Sequence, residues 1–199
     1  MTAEHRSLIR RLHEIGAIKF GEFLLKDGRL SPFYVDLRVL VSHPGVLRQV
    51  AQTLVAASRA LPYDRVSGIP YAGLPLAVAF ALEANVPMVY ARKERHATGT
   101  ARSVEGEFAV GETVLVVDDV ITSGASKLEG IAQLQAVGLK VKDLLVLVDR
   151  EQGGRKTVEL AGYKVHSVMR ISGVLEALRD DGAVSDEQYE QCVAVVRGT

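Results

Sequence analysis

The sequence predicts an α/β fold built on a central parallel sheet that is flanked by helices, and two observations support this prediction. Apolar segments rich in Val and Leu alternate along the chain with segments whose apolar residues recur at helical spacing. The strand-like segments are nearly continuous in hydrophobicity, as expected for strands that are covered on both faces. The 199 residues suit one domain with a full core, and we expect a single domain over 1–199.

The N-terminal part of the chain predicts a helix followed by a hairpin. Apolar residues recur at helical spacing over 8–15, and Gly16 ends the pattern. Two short strands within 20–38 are joined around Asp27 and Gly28, a dipeptide that favours hairpin turns.

The rest of the chain alternates between predicted helices and strands. Ser42 or His43 is a candidate cap for the next helix, and Pro44 suits its first turn. Ser172 and Ser185 are the candidate N-caps of two closing helices. The predicted strands are 64–69, 86–91, 113–119, 142–150 and 164–169. The predicted helices between and before them are 42–61, 73–84, 124–137 and 154–162.

Composition narrows the classes of function. Lys+Arg and Asp+Glu are equal at 24 each, so no overall charge attracts the chain to nucleic acid or to an anionic membrane. Cys192 is the one cysteine and cannot form an internal disulfide, which fits a reducing compartment. The N-terminus lacks the apolar core of a signal peptide, and no apolar run is long enough to span a membrane. We therefore expect a cytoplasmic protein with no nucleic-acid or membrane partner.

A ligand site is expected at the carboxyl ends of the strands, where open α/β sheets bind their ligands. The loops concerned follow residues 67, 91, 117 and 149. A polar segment at 92–107 lies between two predicted strands and has few apolar residues, so we expect a functional or mobile loop there.

The segment VLVVDDVITSGAS, residues 114–126, predicts a phosphate site. Small residues after the strand allow backbone N–H groups to converge at a helix N-terminus, which favours anions. The residues of this cradle are Thr122, Ser123, Gly124, Ala125 and Ser126. A Walker A loop is not present, so a nucleoside triphosphatase is disfavoured.

Two adjacent carboxylates, Asp118 and Asp119, precede this cradle. Because they would repel a phosphate, they should face sugar hydroxyls or a hydrated Mg²⁺. A ligand that carries a ring of hydroxyls and a terminal phosphate satisfies both halves of the segment. The alternative is a solvated strand end followed by a plain turn.

This segment resembles the phosphoribosyl-pyrophosphate motif of the type I phosphoribosyltransferases. Further segments resemble the orotate phosphoribosyltransferases in order and spacing: KFGEFLLKDGRLSPFYVDLR, SGIPYAGLPLA, YARKE, VEGEF and LVLVDREQGG. The resemblance runs from about Lys19 to about Ser172 and implies the fold of that family, with a small N-terminal hood that contains the hairpin. The hood would comprise about 1–40 plus the C-terminal region, and the mobile loop about 92–107.

The resemblance also implies the reaction, in which orotate and phosphoribosyl pyrophosphate give orotidine 5′-monophosphate and pyrophosphate. Mg²⁺ would be the cofactor, held through the substrate's pyrophosphate and not by a dedicated set of protein ligands. A homodimer would donate the mobile loop across its interface.

Roles for individual residues follow from the resemblance. Those expected to bind phosphoribosyl pyrophosphate are Lys26, Tyr71, Ala72, Arg92, Lys93, His96, Thr98, Asp118, Asp119, Val120, Ile121, Thr122, Ser123, Gly124, Ala125 and Ser126. Those expected to bind orotate are Lys26, Phe33, Tyr34, Thr122 and Arg150. Those expected to act in catalysis are Asp118, Asp119, Arg95 and His96.

Each assignment outside the 118–126 segment has an ordinary structural alternative. Lys26 suits a solvated turn, and Tyr34 suits core packing in an alternating strand. Arg92 and Lys93 suit a charge pair at a strand end, and Arg150 suits a bridge to a neighbouring glutamate or to solvent. Their joint occurrence in the order of the family favours the functional roles.

The loop RKERHATGT departs from the family pattern. His96 and Thr98 stand where the family usually has a lysine and a histidine or tyrosine, and a histidine is mostly neutral at pH 7. We hypothesise that Arg95 or Arg102 supplies the missing charge, which fails if Arg95→Ala and Arg102→Ala both leave turnover unchanged. The alternatives are a slow enzyme, a transferase for another base, and a non-catalytic regulator that binds phosphoribosyl pyrophosphate.

Overall fold

A central sheet of six strands forms the frame of the molecule. The computed structural model describes residues 1–24, 28, 30–92 and 103–198. The strands of the chain are β1 (Ile18–Leu24), β2 (Leu30–Val35), β3 (Arg65–Gly68), β4 (Met88–Ala91), β5 (Val104–Glu105), β6 (Thr113–Ile121), β7 (Lys140–Asp149) and β8 (Lys164–Arg170). The sheet has the order β5-β4-β3-β6-β7-β8, and β1 and β2 form a separate antiparallel hairpin.

Helices cover both faces of this sheet. They are α1 (Ala3–Glu14), α2 (Pro44–Ser58), α3 (Gly73–Ala84), α4 (Ala125–Gln135), α5 (Gly154–Leu160), α6 (Ile171–Asp180) and α7 (Asp186–Arg197). Successive residues of β6 point to opposite faces: Leu115 and Val117 join one apolar cluster, and Val114 and Val116 join the other. The first cluster contains α1, α2, α3, α6 and α7, and the second contains α4 and α5. Burial on both faces explains the continuous apolar strands, and the predicted α/β class is confirmed.

The direction in which the chain winds reverses between β3 and β6. From β3 the chain proceeds to β4 on one side, whereas β6, β7 and β8 follow one another on the other side. Strands β3 and β6 are parallel neighbours, with Gly68 paired to Val117. Their carboxyl ends therefore lie side by side, and the chain continues from them into α3 and α4. Such a reversal opens a crevice at the carboxyl edge of the sheet, where ligands bind.

Three local predictions need correction. Residues 104–105, which fall in the expected loop 92–107, form β5 and pair antiparallel with β4, so the sheet is parallel except at this edge. Residues Leu37–Ser42 form a 3₁₀ helix, and His43 occupies the N-cap of α2 without a side-chain hydrogen bond. Ser172 is not an N-cap, because α6 begins at Ile171.

Other local predictions are confirmed. The hairpin forms on either side of Gly28, and Pro44 begins α2. Ser185 caps α7 in a capping box with Gln188.

Among the described residues, no helix has the length and apolar character needed to cross a bilayer.

Candidate active site

The carboxyl end of β6 leads into an open loop of small residues. Gly124 adopts a φ of 84° and is the N-cap of α4, so the chain turns sharply from strand to helix there. Thr122, Ser123, Ala125 and Ser126 are exposed around this turn. The N-terminus of an eleven-residue helix with exposed hydroxyl side chains around it suits the anion site that the sequence predicts.

The loop after β7 supports this cradle from behind. The Gly154 N–H donates to the Thr122 carbonyl at 2.9 Å, and the Arg150 N–H donates to the Ile121 carbonyl at 3.0 Å. A Cβ on Gly154 would meet the Thr122 carbonyl group, and a Cβ on Gly124 would lie 2.9 Å from the Gly154 oxygen. Glycine is therefore required at both positions, since the two loops touch through their backbones.

The two adjacent carboxylates occupy different environments. Asp118 is only 2% exposed, and its Oδ2 lies 2.8 Å from the Nζ of Lys127 on α4. Its Oδ1 accepts the Asp119 N–H at 2.9 Å. Burial raises the pKa of Asp118 to about 7, and the Lys127 ammonium opposes this effect by favouring the charged form.

Asp119 is half-buried and turns toward the hood side of the crevice. Its Oδ1 accepts the Val120 N–H at 2.7 Å. Its charge contributes to a raised pKa of Arg38, whose main cause is a hydrogen-bonded ion pair with Asp36, 2.6 Å between Nε and Oδ1. The same ion pair lowers the pKa of Asp36. The Asp119 carboxylate therefore lies close enough to the Arg38 guanidinium to interact with it electrostatically.

The loop after β3 forms the opposite wall of the crevice. Gly68 at the end of β3 packs against the backbone of Gly73, the first residue of α3. A Cβ on Gly73 would lie 2.7 Å from the Asp118 Oδ1, so α3 begins directly beside the buried carboxylate. Tyr71 is 61% exposed, and Ala72 is the N-cap of α3. Both residues lie in the loop that the sequence assigns to pyrophosphate.

Residues predicted to bind the base come together at the hood. The Arg150 guanidinium lies over the ring of Phe33, 5.4 Å from its centroid, and Phe33 is fully buried. Tyr34 stacks on Phe23 with 5.5 Å between ring centroids. The Arg38 Nη2 lies 3.5 Å from the Tyr34 hydroxyl oxygen, to which it donates. The hairpin thus places Phe33 against Arg150 of the β7 loop, whereas Tyr34 packs on the other strand of the hairpin.

Of the remaining predicted residues, Arg92, Val120 and Ile121 lie in the described part of the chain, and the others lie outside it. Arg92 follows the last residue of β4 and pairs with Glu105 of β5, with Nη1 and Oε1 3.2 Å apart. Val120 is half-buried, whereas Ile121 lies in the core and offers only its backbone. Outside the described residues lie Lys26, Lys93, Arg95, His96, Thr98 and Arg102.

The described part of the chain contains no group of three or more His, Cys, Asp or Glu side chains arranged to hold a metal ion. Asp118 is engaged by Lys127, and Asp119 is half-buried beside it. This donor set does not suit a protein-bound divalent ion, which prefers several oxygen ligands.

Sequence reasoning missed one charged residue of the site, Lys127. It is 8% exposed and lies in the first turn of α4, where the helix dipole disfavours a cation. A lysine placed against the dipole directly after the phosphate loop was the signal that the sequence offered. The tight packing of Gly73 and Gly154 carried no comparable signal, because it depends on contacts between distant loops.

Comparisons with known proteins agree with this geometry. Residues 40–164 match the model of the family described as phosphoribosyl transferase domain. Orotate phosphoribosyltransferase of Pyrococcus abyssi is 36% identical over 172 residues, which are 85% of this chain and 94% of that protein. Uridine 5′-monophosphate synthase of Bos taurus is 43% identical over 187 residues, which are 93% of this chain and 39% of that protein.

A solved structure gives the same result. The structure of Leishmania donovani UMP synthase superposes with a TM-score of 0.90 and 34% sequence identity over all of this chain and 43% of that one. The chain therefore spans less than half of both synthases but nearly all of the single-function enzyme. On these matches, the chain belongs to the orotate phosphoribosyltransferase family of phosphoribosyl transferase domains.

Proposed function

We propose that the chain transfers the 5-phosphoribosyl group from phosphoribosyl pyrophosphate to N1 of orotate, releasing pyrophosphate. In this reaction the C1–O bond to pyrophosphate breaks and the C1–N1 bond forms, with positive charge on the ribose between the two events. One observation carries the proposal. An exposed loop of small residues at a helix N-terminus follows a carboxylate pair, two residues after it, at the point where the winding of the sheet reverses.

The phosphate and sugar ends of the substrate fit the β6 loop. The 5-phosphate would accept hydrogen bonds from the N–H groups and hydroxyls over 122–126. Asp119 would accept hydrogen bonds from ribose hydroxyls, with Asp118 behind it. Negative charge beneath the ribose would also stabilise the cation-like transition state, and such preorganised charge is a main source of catalysis.

The pyrophosphate and the base would approach from opposite sides of the ribose. The loop that contains Tyr71 and Ala72 begins α3 beside the carboxylate pair, which supports its assignment to pyrophosphate. Thr122, Arg150 and Tyr34 would contact orotate, whose carboxylate suits a planar guanidinium. Phe33 would act by supporting Arg150.

Several assignments rest on sequence alone. Roles for Lys26, Lys93, Arg95, His96 and Thr98 remain predictions. We propose that Mg²⁺ enters bound to the substrate, where it would neutralise charge on the departing pyrophosphate. The cytoplasmic location and the lack of a nucleic-acid partner remain predictions as well.

We also propose a homodimer. Exposed apolar side chains run from the pyrophosphate loop along α3, with Val41 of the 3₁₀ helix beside Tyr71: Val41, Tyr71, Val78 and Leu82 are 58%, 61%, 48% and 80% exposed. Tyr71 belongs both to this surface and to the loop of the site. A second copy on this face would therefore lie next to the site, where it could contribute its own loop.

The function is tested by following the loss of orotate absorbance with phosphoribosyl pyrophosphate and Mg²⁺. We expect turnover that requires the metal. Asp119→Asn should lower kcat/KM by at least about tenfold, because a neutral amide stabilises charge on the ribose poorly. Asp186→Asn, a charge removal at the exposed start of α7, is the matched control and should leave turnover unchanged.

Two outcomes would contradict the proposal. Tight binding of phosphoribosyl pyrophosphate without consumption of orotate would favour another base or a binding role. Turnover that is insensitive to Asp119→Asn would remove the sugar role from that carboxylate.

A further inference from the structure

The proposed sugar site has two carboxylates, yet only one is accessible. Asp118 is buried to 2% exposure, whereas Asp119 is half-buried at the mouth of the crevice. A buried carboxylate without a partner is costly, so something must hold it there. Its partner is Lys127, whose side chain is 10% exposed.

A continuous chain of contacts connects Lys127 to Asp119. The Lys127 ammonium lies 2.8 Å from the Asp118 Oδ2. The other oxygen of Asp118 accepts the N–H of Asp119 at 2.9 Å. The Oδ1 of Asp119 then accepts the Val120 N–H at 2.7 Å, which fixes one oxygen of Asp119, and within the described parts of the chain no backbone N–H donates to its Oδ2. The orientation of the accessible carboxylate thus depends on the buried pair.

The position of Lys127 is unfavourable by local rules. It occupies the first turn of α4, where the dipole and the orphan N–H groups favour anions. Its stem is buried, and its ammonium turns inward toward β6, although it also lies 3.4 Å from the Ser126 Oγ. A residue that breaks a local preference at a ligand site indicates a functional constraint.

We propose that Lys127 is a positioning residue of the sugar site, which holds the Asp118 carboxylate so that Asp119 is presented to the ribose hydroxyls. Lys127 acts through Asp118 and does not contact the substrate. The ion pair between Lys127 and Asp118 also joins α4 to the start of α3, because Asp118 packs against Gly73. The two loops of the crevice are therefore held in one arrangement. The proposal deepens the proposed function and rests on it.

The test is the binding of ligands that share a phosphate but differ in the sugar. Dissociation constants are measured by calorimetry for ribose 5-phosphate and for inorganic phosphate. For Lys127→Met we expect ribose 5-phosphate to bind at least about tenfold more weakly, the loss typical of a misplaced charged hydrogen bond. Binding of inorganic phosphate should change less than about twofold, because the backbone N–H groups of the cradle remain and Lys127 touches only the side chain of Ser126.

Two further variants sharpen the result. Lys142→Met removes an exposed lysine from β7 and is the matched control, for which both constants should stay at the wild-type values. In an Asp118→Asn background the lysine has no carboxylate to hold. Lys127→Met should therefore add less than about twofold to the loss already caused by Asp118→Asn. If Lys127→Met does not fold, Lys127→Gln is measured in the same way.

Each other result overturns the inference. Equal weakening of both ligands would make Lys127 a direct phosphate contact. Unchanged ribose 5-phosphate binding would show that the pair is only structural, and additive losses in the Asp118→Asn background would show that Lys127 does not act through Asp118. Failure of the proposed function is distinguishable, since the wild-type chain would then leave orotate unconsumed, whereas this test compares only the affinities of the variants with those of the wild type.

Discussion

Gly153 and Gly154 are adjacent in the chain, but the structure requires glycine at each for a different reason. Gly153 has a φ of 89°, and a Cβ there would meet nothing within 4 Å. Gly154 needs no special φ, but a Cβ would lie 2.8 Å from the Thr122 carbonyl carbon and 2.9 Å from a side-chain carbon of Ile121. Gly153 is thus required for its backbone conformation, and Gly154 is required because a side chain there would clash with the phosphate cradle.

This difference predicts opposite effects of two alanine substitutions. Gly154→Ala should push the cradle away and weaken phosphoribosyl pyrophosphate binding by about tenfold or more, since a displacement of about 1 Å can cost about 100-fold. Gly153→Ala should lower the free energy of unfolding by about 1–2 kcal/mol through backbone strain, with unchanged affinity. Calorimetric titration and urea unfolding of both variants measure the two effects. Equal affinities for Gly154→Ala and wild type would contradict the steric account.

At the residue scale, the sequence predicted a candidate site but not the different burial of its two carboxylates. The pattern of Asp118, Asp119 and the small-residue loop is local, so their positions at a strand end and a helix start could be predicted. Which carboxylate is buried depends on Lys127 and on Gly73, which arrives from another strand. Contacts of that kind do not follow from spacing along the chain.

Among the elements, the starts of α6 and α7 show where capping signals succeed and fail. Ser185 caps α7 by accepting the Gln188 N–H at 3.2 Å, as the local motif predicts. At α6 the Ser172 N–H instead donates to the Glu151 carboxylate at 2.8 Å. A side chain from the β7 loop therefore replaces the local cap, and no pattern near Ser172 could reveal it.

The substitution Glu151→Ala should therefore destabilise the fold, whereas Ser172→Ala should not. Loss of an N-cap acceptor costs about 0.5–2 kcal/mol, and we expect that decrease in the free energy of unfolding for Glu151→Ala. For Ser172→Ala the change should stay within about 0.5 kcal/mol, because its backbone N–H keeps its partner. Urea unfolding of the two variants measures both changes in the free energy of unfolding. A larger loss for Ser172→Ala would restore the serine as the cap.

At the scale of the whole molecule, alternating strands and helices predicted the class of fold, because burial on both faces of a parallel sheet imposes that pattern. The edge strand β5 escaped prediction, since two residues carry no periodicity. The strand order also lay beyond the sequence pattern, although it determines where the crevice opens.

The association of two chains is the property of the whole molecule that the structure makes testable. Val78 and Leu82 are one turn apart on α3, and both are exposed on this helix, which begins at the pyrophosphate loop. If this face is the dimer interface, Leu82→Glu would bury a charge there, which is strongly unfavourable without a partner. Light scattering should give a mass of two 21.5 kDa chains for the wild type and one chain for Leu82→Glu. Leu160→Glu on α5, at a position with 79% exposure, is the matched control and should remain a dimer. A monomeric wild type would remove the proposed dimer, and a dimeric Leu82→Glu would move the interface to another face.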